Sequence, residues 1–334
     1  MIAQIREMAV SHHQWLDRET FGQGLVLCQT IPGATAMQMA GYVGLRHGGF
    51  WGALAAYTGF GLPAFVLMTA LSALYQHGHD LSLAVELFAG MQVAVVALMA
   101  HATLLFGRPL VHRPREWGLG LAIAAALGAG LSPILAILAS ALAGLALFRD
   151  ANEARALQSA SSPRQIPGNL IPAFSLGGVV LLLTGLLAAV SPSLYDLAVM
   201  MLKIDLVAFG GGYGSVPLMF NEVVMVKQWM SEKTLMDGIA LGQITPGPIV
   251  ITATFVGFLK ASYVGAITAT AAIFAPSLIA LLALAPTFDR LRHNSLFQCA
   301  TRGILVSFAG LLLSVTVRFA LVVPWDGMRL VLFT

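Results

Sequence analysis

Charge is what this sequence has least of. Only 10% of its 334 residues are Asp, Glu, Lys or Arg, against about 25% in an average soluble domain. A surface wetted on all sides cannot be made from so few, and with 58% hydrophobic residues and a mean hydropathy of +0.83 the solvent has to be lipid. Cysteine is scarce too. Cys28 and Cys299 both sit in apolar surroundings without CxxC or metal spacing, so they read as small buried hydrophobes. No Ser/His/Asp set, HExxH, GxSxG or phosphate-binding loop lies on a credible scaffold, so neither a hydrolase nor an ATP-driven pump is supported. The N-terminus, MIAQIREMAVSHHQWLDRETF, lacks the apolar core of a secretory signal. The net charge of +3 does not point to nucleic acid, because the basic residues cluster between apolar blocks where membrane topology explains them.

What is present is a series of apolar blocks close to the ~20 residues that cross a ~30 Å hydrocarbon core. Candidate spans are 24–45, 50–75, 84–107, 118–131, 133–148, 170–190, 196–218, 235–259, 262–285, 298–317 and 319–333. The fold class is therefore all-α: a polytopic transmembrane protein of about 10–11 spans, several short or broken by Gly and Pro. Residues 118–148 would run about 46 Å as one helix, and Pro133 interrupts them, so two short helices in a hairpin are expected. The stretch 149–169, RDANEARALQSASSPRQIPGN, is polar and rich in Ser, Ala and Pro. It divides a module at 1–148 from a second at 170–334.

The two modules are copies. QWLDRETFGQGLVLCQTIPG (Gln14 to Gly33) aligns with QWMSEKTLMDGIALGQITPG (Gln228 to Gly247), matching Trp15 with Trp229, Gln29 with Gln243 and Pro32 with Pro246. After a one-residue slip the alignment continues through Val43-Gly44 with Val256-Gly257, Arg46 with Lys260, and Pro63 with Pro276. Basic loops around Arg108, Arg113 and Arg115, around Arg149, Arg155 and Arg164, and at Arg290 and Arg292 predict cytoplasmic positions. Counting spans from them puts Gln14-Trp15 outside and Gln228-Trp229 inside, so the copies are inverted, as in many secondary transporters with a midplane site. The broken span before Gln228 has no counterpart, because its equivalent would precede Met1; the first module is expected to lack its first helix.

Three features carry candidate chemistry. Gly210, Gly211 and Gly212 interrupt an apolar span at about 1 kcal/mol each relative to Ala. Either an unwound helix offers N–H groups to an anion, or small residues allow close helix packing. In each half a Gln precedes a Pro-Gly kink: Gln29 with Pro32 and Gly33, and Gln243 with Thr245, Pro246 and Gly247. The amides can donate to an oxyanion, or Gln and Thr can satisfy the carbonyl that proline frees. Lys203, with Asp205 as a partner, is either the cation that attracts an anion or an interfacial anchor. His77, His79 and Asp80 sit in a short loop with no fourth ligand, so no metal site is expected.

With these motifs in view the chain resembles the chromate ion transporter family, from Gln14 onward. The resemblance rests on the QW-containing loops, the Gln-Pro-Gly motifs, the FGG-type glycines, GGFWGALAAYTGFGLPAF (Gly48 to Phe65) and LKIDLVAFGGGYGSV (Leu202 to Val216). Two departures stand out: the absent first FGG helix, and Ala34 where the family often has a second proline. The resemblance implies export of chromate, a tetrahedral dianion, across a bacterial cytoplasmic membrane by a secondary mechanism that confers resistance. No cofactor or metal is implied. Coupling to a proton or counter-ion is implied without a choice between them, and a homodimer stays open. The alternatives are transport of sulfate or another oxyanion, or an inactive remnant. Desolvating a dianion calls for several N–H donors and a cation together. Gly210 to Gly212, Gln29, Gln243 and Lys203 are the expected set.

Overall fold

The computed structural model describes residues 1–78, 82–108, 114–148, 170–288 and 294–325; side chains of 82–85 are not included. All the described regular structure is helical. The helices are α1 (Ile2–Arg6, prolonged by a π-helical turn Glu7–His12), α2 (Arg18–Thr30), α3 (Thr35–Gly78), α4 (Ser82–Gly107), α5 (Pro114–Gly128) and α6 (Pro133–Leu147). The second half supplies α7 (Ile171–Val190), α8 (Pro192–Val207), α9 (Ser215–Met219, prolonged by a π-helical turn Phe220–Val226), α10 (Glu232–Ile244), α11 (Thr252–Leu284) and α12 (Ser295–Val322). The five helices long and apolar enough to cross a bilayer, together with shorter ones, make this a multi-pass membrane protein. The 118–148 block is the expected pair, α5 and α6. The 149–169 linker and the basic positions 113, 149, 155, 164, 290 and 292 lie outside the described residues, as do His79 and Asp80.

The duplication reaches into backbone detail. Gln14 and Gln228 both adopt φ 51°, a left-handed turn just before each tryptophan. Asp17 then caps α2 by accepting from the Thr20 N–H at 2.7 Å, and Ser231 caps α10 by accepting from the Thr234 N–H at 3.1 Å. The Thr20 N–H, with the Thr20 hydroxyl, holds the Asp17 carboxyl below its ordinary range. Farther on, Gly48–Gly49 reverses α3 and Ala261–Ser262 reverses α11, with matching backbone angles.

These reversals are complete. Eight residues of straight helix span about 12 Å, yet a Cβ on Gly44 would collide with the Gly52 carbonyl, and one on Gly257 with that of Gly265. Thr254 and Thr270, on opposite sides of the second reversal, bond at 2.7 Å. Each of these helices is therefore two antiparallel arms, and glycine is required where their backbones touch. Gly257→Leu is expected to cost about 1–3 kcal/mol by overpacking this contact, read as a lower melting temperature in detergent.

Three segments taken as single spans in the sequence are instead re-entrant hairpins. Gly24 in α2 faces the ring of Tyr42 in the first arm of α3, and Gly238 in α10 faces Phe255 in the first arm of α11. Likewise Lys203 of α8 bonds Glu222 at 2.8 Å and Lys227 bonds Asp196 at 3.0 Å, so α9 runs back along α8. Residues 24–45, 196–218 and 235–259 thus enter and leave by the same face. This reverses the expected orientation of both QW loops while keeping them opposed. Leu281 packs on Gly41, so the end of α11 lies on the face of the first QW loop. The start of α12 and the end of α6 share that face, since Cys299 Sγ contacts the Phe148 carbonyl. The first QW loop therefore shares a face with the ends from which the basic linker departs, and the second lies opposite. The reversal turns also set the slip, pairing His47 rather than Arg46 with Lys260. His47 lies beside Trp15 at 5.3 Å between ring centroids, and Lys260 lies 4.4 Å from the Trp229 ring centre.

Candidate functional site

Each arm of a hairpin built from α2 or α10 has 13 residues, about 20 Å at 1.5 Å per residue. Entering from either face, such an arm ends inside a ~30 Å apolar core. Its tip is the Pro-Gly motif. Proline stops the helix because it has no N–H to give the carbonyl four residues earlier. For Pro246 that carbonyl belongs to Gly242, and the Thr245 hydroxyl donates to it at 2.8 Å. The internal role considered for Thr245 is thus realised.

The three tips meet. The Gly33 N–H donates to the Ala208 carbonyl at 2.8 Å, joining the first Pro-Gly tip to the end of α8. Gly211 lies against the Thr35 hydroxyl, and Gly212 against Ile249 and Val250 just beyond the second Pro-Gly tip. The tips also exchange contacts across the halves: a Cβ on Gly33 would collide with Ser277 of α11, and one on Gly247 would lie 2.6 Å from the Ala64 methyl of α3. Ser277 and Ala64 occupy equivalent places one repeat apart. Thr103 and Thr316, likewise equivalent at 213 residues' separation, bond to each other at 3.2 Å, which puts that pair on the pseudo-two-fold axis.

The glycine segment is unwound as one of its readings requires. Gly210 and Gly211 have φ 79° and 77°, a region that residues with a Cβ rarely enter, and a short 3₁₀ turn follows over Gly212–Gly214. The structure therefore brings Gly210, Gly211, Gly212, Pro32, Gly33, Thr245, Pro246 and Gly247 into one region. Gln243 is half-buried one turn back from its tip, and its amide nitrogen is buried without a partner among the described residues. Gln29 is on an exposed side of α2. Lys203 bonds Glu222 rather than Asp205, on the outer side of the α8–α9 hairpin, and so is not brought to the tips.

Of the polar groups at the centre only Asp205 was named from the sequence, as a partner for Lys203; Gln38, Tyr57 and Ser277 were not. Gln38 donates to the Pro32 carbonyl at 2.5 Å. Asp205 accepts from the Ser277 N–H at 2.7 Å, and Tyr57 bonds the Ser277 hydroxyl at 2.8 Å and the Phe274 carbonyl at 2.9 Å. Gln38, Asp205 and Ser277 are almost wholly buried. The available signal was simple: polar or ionisable residues inside apolar blocks, which are costly and mark function. Elsewhere Asp237 of α10 accepts from Gln92 at 2.7 Å and Tyr75 at 2.9 Å, tying the second hairpin to α3 and α4. No group of three His, Cys, Asp or Glu side chains suited to a metal exists among the described residues.

Comparison with known proteins gives a consistent result. The family profile described as "Chromate transporter" matches residues 1–145 and 195–334. An uncharacterized transporter of Methanocaldococcus jannaschii is 42% identical over 99% of this chain and 82% of its own length. A chromate transport protein of Pseudomonas aeruginosa is 29% identical over 96% of this chain and 76% of its own. A probable chromate transport protein of Synechococcus elongatus is 27% identical over 93% and 77%, respectively. No solved structure matches.

Proposed function

Because the chain belongs to the chromate transporter family, a family of membrane transporters rather than enzymes, we propose that it carries chromate out of the cell across the cytoplasmic membrane. The observation that carries this reading is the meeting of three re-entrant tips from inverted halves. It combines backbone N–H groups, unwound glycines and amides at a depth reached from both faces. The mechanism is alternating access: one half rocks against the other about the Thr103–Thr316 pair and exposes the tips to each face in turn.

Export suits the electrical gradient. Two negative charges leaving a cell with a negative interior gain about 4.6 kcal/mol per 100 mV, so neither ATP nor a cofactor is needed. The first QW loop faces the cytoplasm in this reading, since it shares a face with the ends that flank the basic linker. The proposed substrate contacts are the N–H groups of Gly210 to Gly212 and the Gln243 amide, with Gly33 and Gly247, whose N–H groups are held by the Ala208 and Thr245 carbonyls, shaping the tips around them. Lys203, held by Glu222, tunes the potential from a distance.

The test is uptake of labelled chromate into everted vesicles, with growth on chromate as the cellular counterpart. We expect uptake that is weakened by unlabelled sulfate, because both are tetrahedral dianions, and an about tenfold loss in Gln243→Leu from one missing charge-assisted donor. Uptake of sulfate with none of chromate would move the chain to a different oxyanion. Uptake of neither would leave a protein that does not transport oxyanions.

A further inference from the structure

The centre of the molecule holds a polar cluster that anion binding by N–H groups does not account for. Around Gly33 lie the Ser277 hydroxyl and the Gln38 amide, within 2.8 and 3.0 Å of where a Cβ would stand. Behind them is Asp205, 1% exposed. The Ser277 N–H occupies Asp205 Oδ2. Asp205 Oδ1 and Gln38 Oε1 are both buried acceptors with no donor among the described residues. Each such orphan costs about 1–3 kcal/mol, and more if it is charged.

Among the described residues no cation faces Asp205; only the Ser277 N–H and hydroxyl stand beside it as donors. α11 presents Ser277; α3 presents Tyr57, through Ser277; α2 presents Cys28, beside Tyr57. α7 has no titratable residue. Glu222, from the returning arm of α9, is engaged by Lys203 on the outer side. Asp205 also stands in the last turn of α8, at the negative end of that helix's dipole. An oxyanion arriving at the tips would add two more negative charges next to it.

We propose that Asp205, with the Gln38 carboxamide and the Ser277 hydroxyl as its polar surroundings, is a proton site that fills as the tips take up an oxyanion. One proton moves from solvent to Asp205 Oδ1 per dianion bound, so the occupied centre carries a net charge of −2 instead of −3. The added hydroxyl gives the centre the donor that its two orphan acceptors lack. This rests on the oxyanion-transporter reading and deepens it: the coupling ion is a proton, so one net negative charge leaves per cycle and the electrical gain is half that of the bare dianion. Anion and proton bind cooperatively, each strengthening the other by the same factor.

The experiment is calorimetric titration of the detergent-purified full chain with sulfate, which stays a dianion over the range used, in buffers of different ionisation heat and across pH. The wild type should take up about one proton per sulfate and lose affinity about tenfold per pH unit on the alkaline side. Asp205→Asn should bind without proton uptake and without that slope. Binding by the wild type with no proton uptake overturns the proposal, as does a slope preserved in Asp205→Asn or a requirement for sodium in place of the proton. The wild-type titration stands alone should the variant not fold. A wild type that binds neither sulfate nor chromate sinks the oxyanion reading instead. In that case the infrared carbonyl band of a protonated aspartic acid, shifted by isotope-labelled aspartate and absent from Asp205→Asn but kept in Asp237→Asn, decides whether the site holds a proton.

Discussion

Gly33→Val should abolish most chromate transport, lowering the rate by about 100-fold or more. Two independent penalties meet at this position. Gly33 has φ 112°, where a β-branched residue is strained by about 1–2 kcal/mol. Its new side chain would also collide with Ser277 and press on the Gln38 amide, an overpacking of about 1–3 kcal/mol. The strain falls on a residue that ties a Pro-Gly tip to the end of α8, just before the glycine segment, through its N–H to the Ala208 carbonyl. At 1.36 kcal/mol per tenfold, a misplaced tip readily costs two orders of magnitude. Gly22→Ala is the control, since Gly22 lies in α2, the helix that leads to this tip, with open space around it. It should transport within about twofold of wild type, as surface substitutions usually move energies by under 0.5 kcal/mol. Equal rates for Gly33→Val and wild type in vesicles with matched protein content would show that the tip contact has no part in transport.

The largest expected effect on stability is at Arg302. Its guanidinium bonds the carboxylate of Glu116, which is wholly buried at the start of α5, and so links α12 to the α5–α6 hairpin. Removing one partner of a buried pair typically costs 3–5 kcal/mol because the other charge stays desolvated. Arg302→Ala should therefore melt well below wild type in detergent. Replacing both residues by apolar ones of similar volume, Glu116→Leu with Arg302→Met, should recover most of the loss. The cycle separates the two accounts: if the double variant is as unstable as Arg302→Ala, the stabilisation lies in packing of the Arg302 stem and its stacking over Phe148 rather than in the charges.

The all-helical membrane class was legible because it follows from composition, and the duplication because Gln, Trp and Pro recur at fixed spacing. The reversal turns were harder to read. In α11 the chain folds back at Ala261–Ser262, with Ser262 at φ 51°, and neither residue advertises a turn. Hydropathy cannot distinguish a helix that crosses from two half-length arms that enter and return, since both are continuous apolar runs of similar length. That is why the span count gave the inversion but set each QW loop on the face opposite to the one that its contacts indicate relative to the linker ends. At the site, the Gly and Pro positions were legible because backbone geometry selects those residues. The partner of Lys203 was not legible, because Glu222 lies 19 residues on, across a hairpin that the sequence presents as one span. Gln38 and Ser277 have no motif; they become significant only once α3 and α11 are brought together at Gly33.

The unequal surroundings of the two Pro-Gly tips bear on where the carrier rests. If its halves were identical, exchanging their conformations would carry the molecule from one open state to the other at no net energy, and an empty carrier would spend equal time facing either side. Here the degeneracy is broken. The first tip faces Ser277, gives its Gly33 N–H to Ala208 and receives the Gln38 amide, whereas the second faces the methyl of Ala64 and its Thr245 hydroxyl closes on its own helix. A difference of one or two net hydrogen bonds, at about 0.5–1.5 kcal/mol each, biases the empty populations by about 2- to 150-fold. Gradients still decide which way net flux runs. The idle molecule waits on one side, and a serine facing an alanine across the pseudo-two-fold axis helps choose which.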